Sequence, residues 1–374
     1  MTLQKFKRKV VFIMRQFAIG GLERVVMMQA RICVEEGYDV AILILDGGPG
    51  NSLVVECDPR VSVRVLPAGL LARRSVLSEV CDSAVILLHF GYGKLYPKLR
   101  MALLGAGALR VIRFCHSDYS RLRNPVTNAL DRILGHKDEM IAVGGGAKSF
   151  LVDVVGLPSE RIRTLANVAP PTPHSVALPP GGVTLLTVSD VEPHKGIDDV
   201  VAALAMTLSP REPKLSVVGD GSDLIRVWRL AQELGVLHRI DWMGAIWHQP
   251  TVQSVLGATD VFISMSKAEG IPLSVLEAVR HNVPHLVLSD IPGHRSAAGD
   301  NAIYVNCHDP AALAQVLDGI SADRADNDRT GPRQLPASGP SYHNDYKVAL
   351  QNYGTALAGL LSAPRTRVRG TDVG

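Results

Sequence analysis

Residues 264–290 read "SMSKAEGIPLSVLEAVRHNVPHLVLSD", and the architecture of the chain follows from how that text divides. The β-branched and aromatic run "DVFISM" (260–265) leads into it as a strand. A Gly-Ile-Pro turn follows, and Pro272 suits the first turn of a helix, where its missing N–H would have no helical partner. "VPHLVLSD" (283–290) is again a strand. Strand, helix and strand in so short a span form a parallel unit. Glu269 then lies in the loop before the helix, and Glu277 about a turn and a half inside it.

The same alternation runs through most of the chain. "KVVFIMR" (9–15), "YDVAILIL" (38–45), "VSVRVLP" (61–67), "SAVILLHF" (83–90), "RVIRFCH" (110–116) and "EMIAVG" (139–144) are strand-like and separated by helix-length segments. "NVAPPTPHSVALPPGG" (167–182) breaks the pattern, because proline fixes φ and removes backbone donors. It then restarts with "VTLLTVSD" (183–190), "KLSVVGDG" (214–221), "DVFISM", "VPHLVLSD" and "AIYVN" (302–306). The expected fold is α/β: two doubly wound Rossmann-like domains joined by a linker. The expected boundaries are 1–168, a linker at 169–182, 183–320, a polar loop at 321–341 and a last helix at 342–362.

The chain has 374 residues, of which 47% are hydrophobic, enough for two cores. No apolar window approaches the eighteen or so residues of a membrane span, and the basic N-terminus lacks the apolar core of a signal peptide. Five scattered cysteines without a CxxC pair fit a reducing cytoplasm and argue against a zinc site. Residues 1–170 hold 23 Lys and Arg against 15 Asp and Glu, while the remainder holds 16 against 21. Such a split fits a first half that meets something anionic; an evenly solvated surface explains it about as well.

In sheets of this kind, ligands sit at the carboxyl ends of the strands. After the first strand, Gly20 and Gly21 in "AIGGLE" let backbone approach a ligand at a helix N-terminus; a structural turn is an equal alternative. In "SDVEPHKGIDD", Lys195 stands before a helix, placed to meet a phosphate, although a solvated surface lysine explains it too. Gly219 and Gly221 in "VVGDGSD" would bring backbone close to a base or ribose. Glu269 can accept bonds from sugar hydroxyls, and Glu277 both hydroxyls of a ribose. The alternative is a helix-start acid favoured by the macrodipole, plus a surface acid.

Taken in order, Gly20-Gly21 with Glu23, Lys195-Gly196, Gly219-Asp220-Gly221, Gly244 in "WMGAI" and Glu269-x7-Glu277 resemble the family-4 retaining glycosyltransferases with the GT-B fold. Asn167-Val168, His116 after a strand and "SDIPGHR" (289–295) extend the resemblance over nearly the whole chain. It implies two Rossmann-like domains facing each other across a cleft, with the last helix packing back on the first. It further implies a nucleotide diphosphate sugar as donor substrate, no cofactor, and a hexose transferred to a saccharide with retention. Glu277 would bind the donor ribose, Glu269 the hydroxyls of the transferred sugar, and Lys195 the diphosphate. Gly20 and Gly21 would border the phosphate and acceptor, and His116 would touch the donor sugar. His116, Lys195 and Glu269 are thus the expected catalytic residues.

Two positions depart from the family pattern. Ser189-Asp190-Val191 stands where Gly-Arg-Leu is common, so the usual arginine partner of Lys195 is an aspartate. His194 or Arg295 could supply the missing cation; otherwise turnover is slow or lost. Ser296 replaces a common glutamate. No metal is expected, and nor is a nucleic-acid partner. The basic and apolar residues of 91–113 fit either an amphipathic helix covering the sheet or one resting on an anionic membrane, which a lipid-linked acceptor would require. The expected location is the cytoplasm, with a contact to the inner face of the membrane in the second case. The competing expectation is a weak or inactive sugar-nucleotide-binding scaffold of the same fold.

Overall fold

Alternate residues of a strand point to opposite faces, and in β1 (Lys9–Met14) both sets are apolar. Val10, Phe12 and Met14 join one core cluster, and Val11 and Ile13 join another. A strand buried on both faces needs helices above and below it, and therefore crossover connections and parallel neighbours. The computed structural model shows this arrangement twice. It describes residues 8–17, 20–46, 57–67, 70–89, 99–100, 102–103, 106–117, 119, 129, 133, 138–168, 183–210, 212–246, 249–326 and 340–363. The expected linker 169–182 and the first part of 91–113 lie outside these residues.

The first sheet contains β1, β2 (Asp39–Ile44), β3 (Ser62–Val65), β4 (Ala84–His89), β5 (Arg110–Cys115), β6 (Glu139–Ala142) and β7 (Ile162–Thr164). Its seven strands run parallel in the order β3-β2-β1-β4-β5-β6-β7. The second contains β8 (Thr184–Val188), β9 (Lys214–Val218), β10 (Ile240–Gly244), β11 (Val261–Ser264), β12 (His285–Ser289) and β13 (Ile303–Val305). Its six strands, also parallel, follow the order β10-β9-β8-β11-β12-β13. In each sheet the order reverses beside the first strand, which opens a crevice at the carboxyl ends there. The sequence expectation of two doubly wound sheets therefore holds. It omitted β7 and β10, edge strands in which only Ile162 and Ile240 are buried.

Two expected boundaries differ. Helix Pro310–Asp326 runs through 321–326, which the sequence reading placed in a loop, because Leu317 and Ile320 pack into the second core and the Ser321 hydroxyl bonds the Leu317 carbonyl. Helix Pro340–Ser362 begins two residues early and returns to the first sheet. Tyr353, Leu357, Leu360 and Leu361 join its core, and Tyr353 Oη accepts from Gln29 at 2.6 Å. Arg110 donates to the carbonyls of Leu361 and Ala363 at 3.1 and 2.8 Å while forking to Glu139. Among the described residues no helix is long and apolar enough to cross a membrane.

The halves meet along a seam of glycines. Gly144-Gly145-Gly146 opens the short helix Gly145–Ser149 after β6. A Cβ on Gly146 would overlap the Glu269 carbonyl oxygen, and one on Gly270 the His116 carbonyl oxygen. A Cβ on Gly145 would strike Ser296 Oγ, which bonds the Pro292 carbonyl at 2.7 Å. Backbone touches backbone here, so a methyl group has nowhere to go. Gly146→Ala is expected to lower Tm by several degrees and raise the radius of gyration in X-ray scattering. Gly319→Ala, at an exposed helix position with open space around it, should instead stabilise by about 0.5–1 kcal/mol. Equal effects of the two changes would refute the seam.

Candidate active site

Lys195 and Glu269 come from adjacent loops at the carboxyl ends of β8 and β11. Beyond β8 a single helical turn, Pro193–Lys195, ends on Gly196, whose φ of +67° is left-handed. Any Cβ there would also collide with the Met265 carbonyl, so only glycine permits this approach. The loops are stitched by Lys267 N–H donating to the His194 carbonyl at 2.8 Å. Lys195 Nζ consequently sits 2.7 Å from Glu269 Oε1, with side-chain exposures of only 16% and 12%. Burial opposes both charges, but the pairing outweighs it. Glu269, helped by Asp190 and Glu192, holds Lys195 above its usual range; Lys195, His294 and Ser266 hold Glu269 below its own.

Buried His294 pins the Glu269 loop from behind. Its ring lies 3.2 Å from Ser264 Oγ and 2.9 Å from Ser289 Oγ, and Ser289 Oγ donates to the Ser266 carbonyl at 2.5 Å. This is the structural content of "SDIPGHR" beyond its resemblance. Arg295 is not the missing cation: exposed and away from the cleft, it forks onto Asp290 at 2.5 and 2.7 Å. His194 does line the cleft, but burial and Lys195 lower its pKa, which disfavours its charge.

Glu277 lies on helix Leu273–Arg280, which faces the first half of the chain. It is 3% exposed, and the Arg24 guanidinium of helix Gly21–Glu35 stands 3.6 Å from its Oε1. Burial raises the Glu277 carboxyl and Arg24 opposes the rise. Arg24 is one residue that sequence reasoning missed, although it directly follows Glu23 in "IGGLER". A Cβ on Gly21 would touch Leu273 at 3.4 Å, so this helix start faces the second half across the gap.

The cleft between the halves has a volume of about 940 Å³. It brings together Gly20, Gly21, Arg24 and His116 with Asp190, Lys195, Gly219, Glu269 and Glu277. Gly221 is the exception among the expected residues. It lies outside the lining, packed where a Cβ would strike the Val191 carbonyl, so its glycine serves the contact of two loops. Gly219 does reach the cleft, but its close approach is to the Ser189 carbonyl. Asp190 stands exposed at the mouth; desolvation first, then Glu269 and Glu192, raise its carboxyl while Lys195 opposes them. Opposite it, burial and Asp190 push Glu23 up to about 7 against its backbone hydrogen bond and Arg24.

Residues 172–334 match the family Glycosyl transferases group 1. A lipopolysaccharide 1,6-galactosyltransferase of Escherichia coli is 25% identical over 186 residues, 45% of this chain and 50% of that protein. An exopolysaccharide phosphotransferase of Streptomyces coelicolor is 24% identical over 194 residues, 50% of this chain and 20% of its own length. The chain thus spans half or less of these curated relatives. Anabaena HepE, solved in complex with UDP and glucose, superposes with a TM-score of 0.74 at 16% identity, covering 95% of this chain and 99% of that one. Sucrose-phosphate synthase of Thermosynechococcus elongatus gives 0.74 at 17%, covering 95% and 98%. The shared fold is GT-B.

Two outcomes test the electrostatics. Lys195→Ala strands a buried carboxylate and should cost about 3–5 kcal/mol in denaturant unfolding, whereas Lys195→Met with Glu269→Leu should recover most of it. A double variant as unstable as the single one would show that the pair is not the cause. For Glu23, whose folded value lies above the ordinary 4.5, the stability of the protonated form is complete below pH 4.5 and lost as pH rises through about 7. Glu23→Gln should match the parent's Tm at the acid end and exceed it above pH 7; a constant difference would contradict the shift.

Proposed function

We propose that this chain, a GT-B protein whose residues 172–334 belong to Glycosyl transferases group 1, transfers a hexose from a nucleoside diphosphate sugar to a hydroxyl of a saccharide acceptor, with retention at the anomeric carbon. The observation that carries this reading is the placement of Lys195, Glu269 and Glu277 on one cleft. A cation flanked by two carboxylate acceptors fits an anionic diphosphate with a hydroxylated sugar at either end. Glu277 takes the ribose, Lys195 the diphosphate and Glu269 the hydroxyls of the hexose. Gly20 and Gly21 offer backbone at a helix start, and His116 approaches the sugar from the first half.

Lys195 exchanges partners in this scheme. Without donor it is neutralised by Glu269; with donor it turns to the diphosphate, and the carboxylate is released to hydroxyls. The anomeric C–O bond to the diphosphate then breaks as the bond to the acceptor oxygen forms on the same face. The acceptor proton passes to the departing phosphate oxygen. Lys195 stabilises the charge that develops there, the kind of interaction that usually contributes most to such rate enhancements. Closure of the halves excludes water from the reacting centre.

UDP-bound neighbours make uridine diphosphate sugars the first donors to try, and the lipopolysaccharide and exopolysaccharide relatives support an acceptor in cell-surface polysaccharide synthesis. The basic first half is consistent with a lipid-linked acceptor at the inner face of the membrane. One observation favours a second reading, binding with little or no turnover. Asp190 puts a carboxylate at the mouth, near the intended diphosphate, where an arginine is usual.

Transfer and hydrolysis measured across a panel of nucleoside diphosphate sugars separate the two, since binding with no turnover of any donor leaves only the second. Under either reading, Glu277→Ala removes two hydrogen bonds to a charged acceptor, each contributing about 1.5–3 kcal/mol. Donor affinity by calorimetry should therefore fall at least about a hundredfold. Unchanged affinity would rule out donor binding through Glu277.

A further inference from the structure

His89 ends β4 and has no part in the scheme above. It is fully buried in a strand whose other residues, "AVILL", are all apolar. Its ring stacks on Phe114, with centroids 4.3 Å apart and planes at 17°, and lies 5.6 Å from Phe12. An imidazole in such a place is costly unless its polar atoms find partners. It makes one hydrogen bond: Nδ1 is 3.0 Å from Nε2 of His116, on the cleft wall. The other nitrogen, His89 Nε2, is buried with no hydrogen-bond partner among the described residues.

That asymmetry decides where the protons sit. If His116 Nε2–H were the donor, neutral His89 would carry its own proton on Nε2, a buried N–H without an acceptor among the described residues, which is left with its desolvation uncompensated. Orphaned buried donors are rarer than under-satisfied acceptors. With His89 Nδ1–H donating, only a bare lone pair faces the apolar wall. His116 Nε2 then accepts, and neutral His116 carries its proton on Nδ1.

We propose that His89 is a positioning residue whose Nδ1–H holds the His116 ring in one orientation and one tautomer, so that His116 presents an N–H donor to a hydroxyl of the transferred sugar. The histidine pair stands on the geometry alone; only the sugar hydroxyl rests on the proposed glycosyl transfer. Burial keeps both rings neutral, pushing His116 down to about 4 and His89 well below its ordinary value, with His116 adding to the latter. His116 therefore acts in binding and orientation, and an acid–base role is left to the leaving phosphate. The arrangement resembles the outer-shell partner of a metal-bound histidine, where a second hydrogen bond fixes tautomer and ring pose.

The test uses the full chain labelled with ¹⁵N-histidine, whose ring nitrogens report tautomer directly. In the unmodified protein both His89 and His116 should appear neutral and protonated on Nδ1. His89→Phe keeps the stacking and removes the donor. His116 should then shift to a mixture of tautomers, with kcat for transfer down about tenfold and KM for donor changed less than about twofold. His89→Asn, whose amide nitrogen can stand where Nδ1 stood, should restore the tautomer and most of kcat.

His116 protonated on Nε2 in the unmodified protein overturns the proposal, and this reading holds even if no variant folds. An unchanged His116 spectrum in folded His89→Phe overturns it as well. A shifted tautomer with unchanged kcat overturns the catalytic half. The expected spectra with no turnover of any donor leave the positioning of His116 standing and remove glycosyl transfer instead.

Discussion

The second half of the structure is organised around a buried ion pair that its stability alone does not explain. Removing Lys195 and Glu269 from water costs several kcal/mol per ion, and well-packed apolar residues in such places are often as stable or more so. The fold nevertheless commits a left-handed Gly196, a backbone bond between Lys267 and His194, and the buried Ser264, Ser266, Ser289 and His294 network to holding the two together. The pair keeps a cation charged and a carboxylate ionised in a partly dry cleft. That is the state in which an anion can claim the one and hydroxyls the other.

The surrounding charges sharpen the choice of partner. Asp190, Glu192, Asp220, Glu269 and Glu277 line the cleft against Arg24 and Lys195, with His194 and His116 both lowered in pKa by burial. A bare polyphosphate meets a net negative wall there. A ligand with one anionic centre and many hydroxyls meets one lysine and several acceptors, and so suits the cleft better. Arg24 adds a positive charge from the opposite half, but Glu277 already engages it at 3.6 Å. Among the described residues, Lys195 and then His194 oppose the negative charge of Asp190, so a diphosphate bound as proposed would meet its repulsion unless the carboxyl is protonated.

Most of the fold was legible because burial on both faces writes itself as apolar runs. Elements with little buried surface were not: β7 and β10 carry one buried residue each at the sheet edges. Lys195 and Glu269 were expected from their loops after strands and Glu277 from its helix and the family resemblance, and all three line the cleft. Gly221 was misplaced because a glycine needed for loop-to-loop contact reads the same as one needed for a ligand. Arg24 and His89 were missed for a different reason. Each acts on a residue far away in sequence, Glu277 and His116, and no local pattern encodes that meeting.

The glycine seam connects these features. Backbone of Gly146 lies against the Glu269 carbonyl, and backbone of Gly270 against the His116 carbonyl. The two residues assigned to the sugar are held within their own halves, and the backbone of each also abuts the opposite half. A movement that separates the halves carries Lys195 and Glu269 together and shifts both of them relative to His116 in the same step. Neither half alone presents a cation, two acceptors and an N–H donor to one ligand. Under the proposed transfer the full set of groups meets only where the seam is shut, so opening it for ligand exchange and shutting it for reaction would alternate the site between dispersed and assembled forms, as closure does in two-domain enzymes.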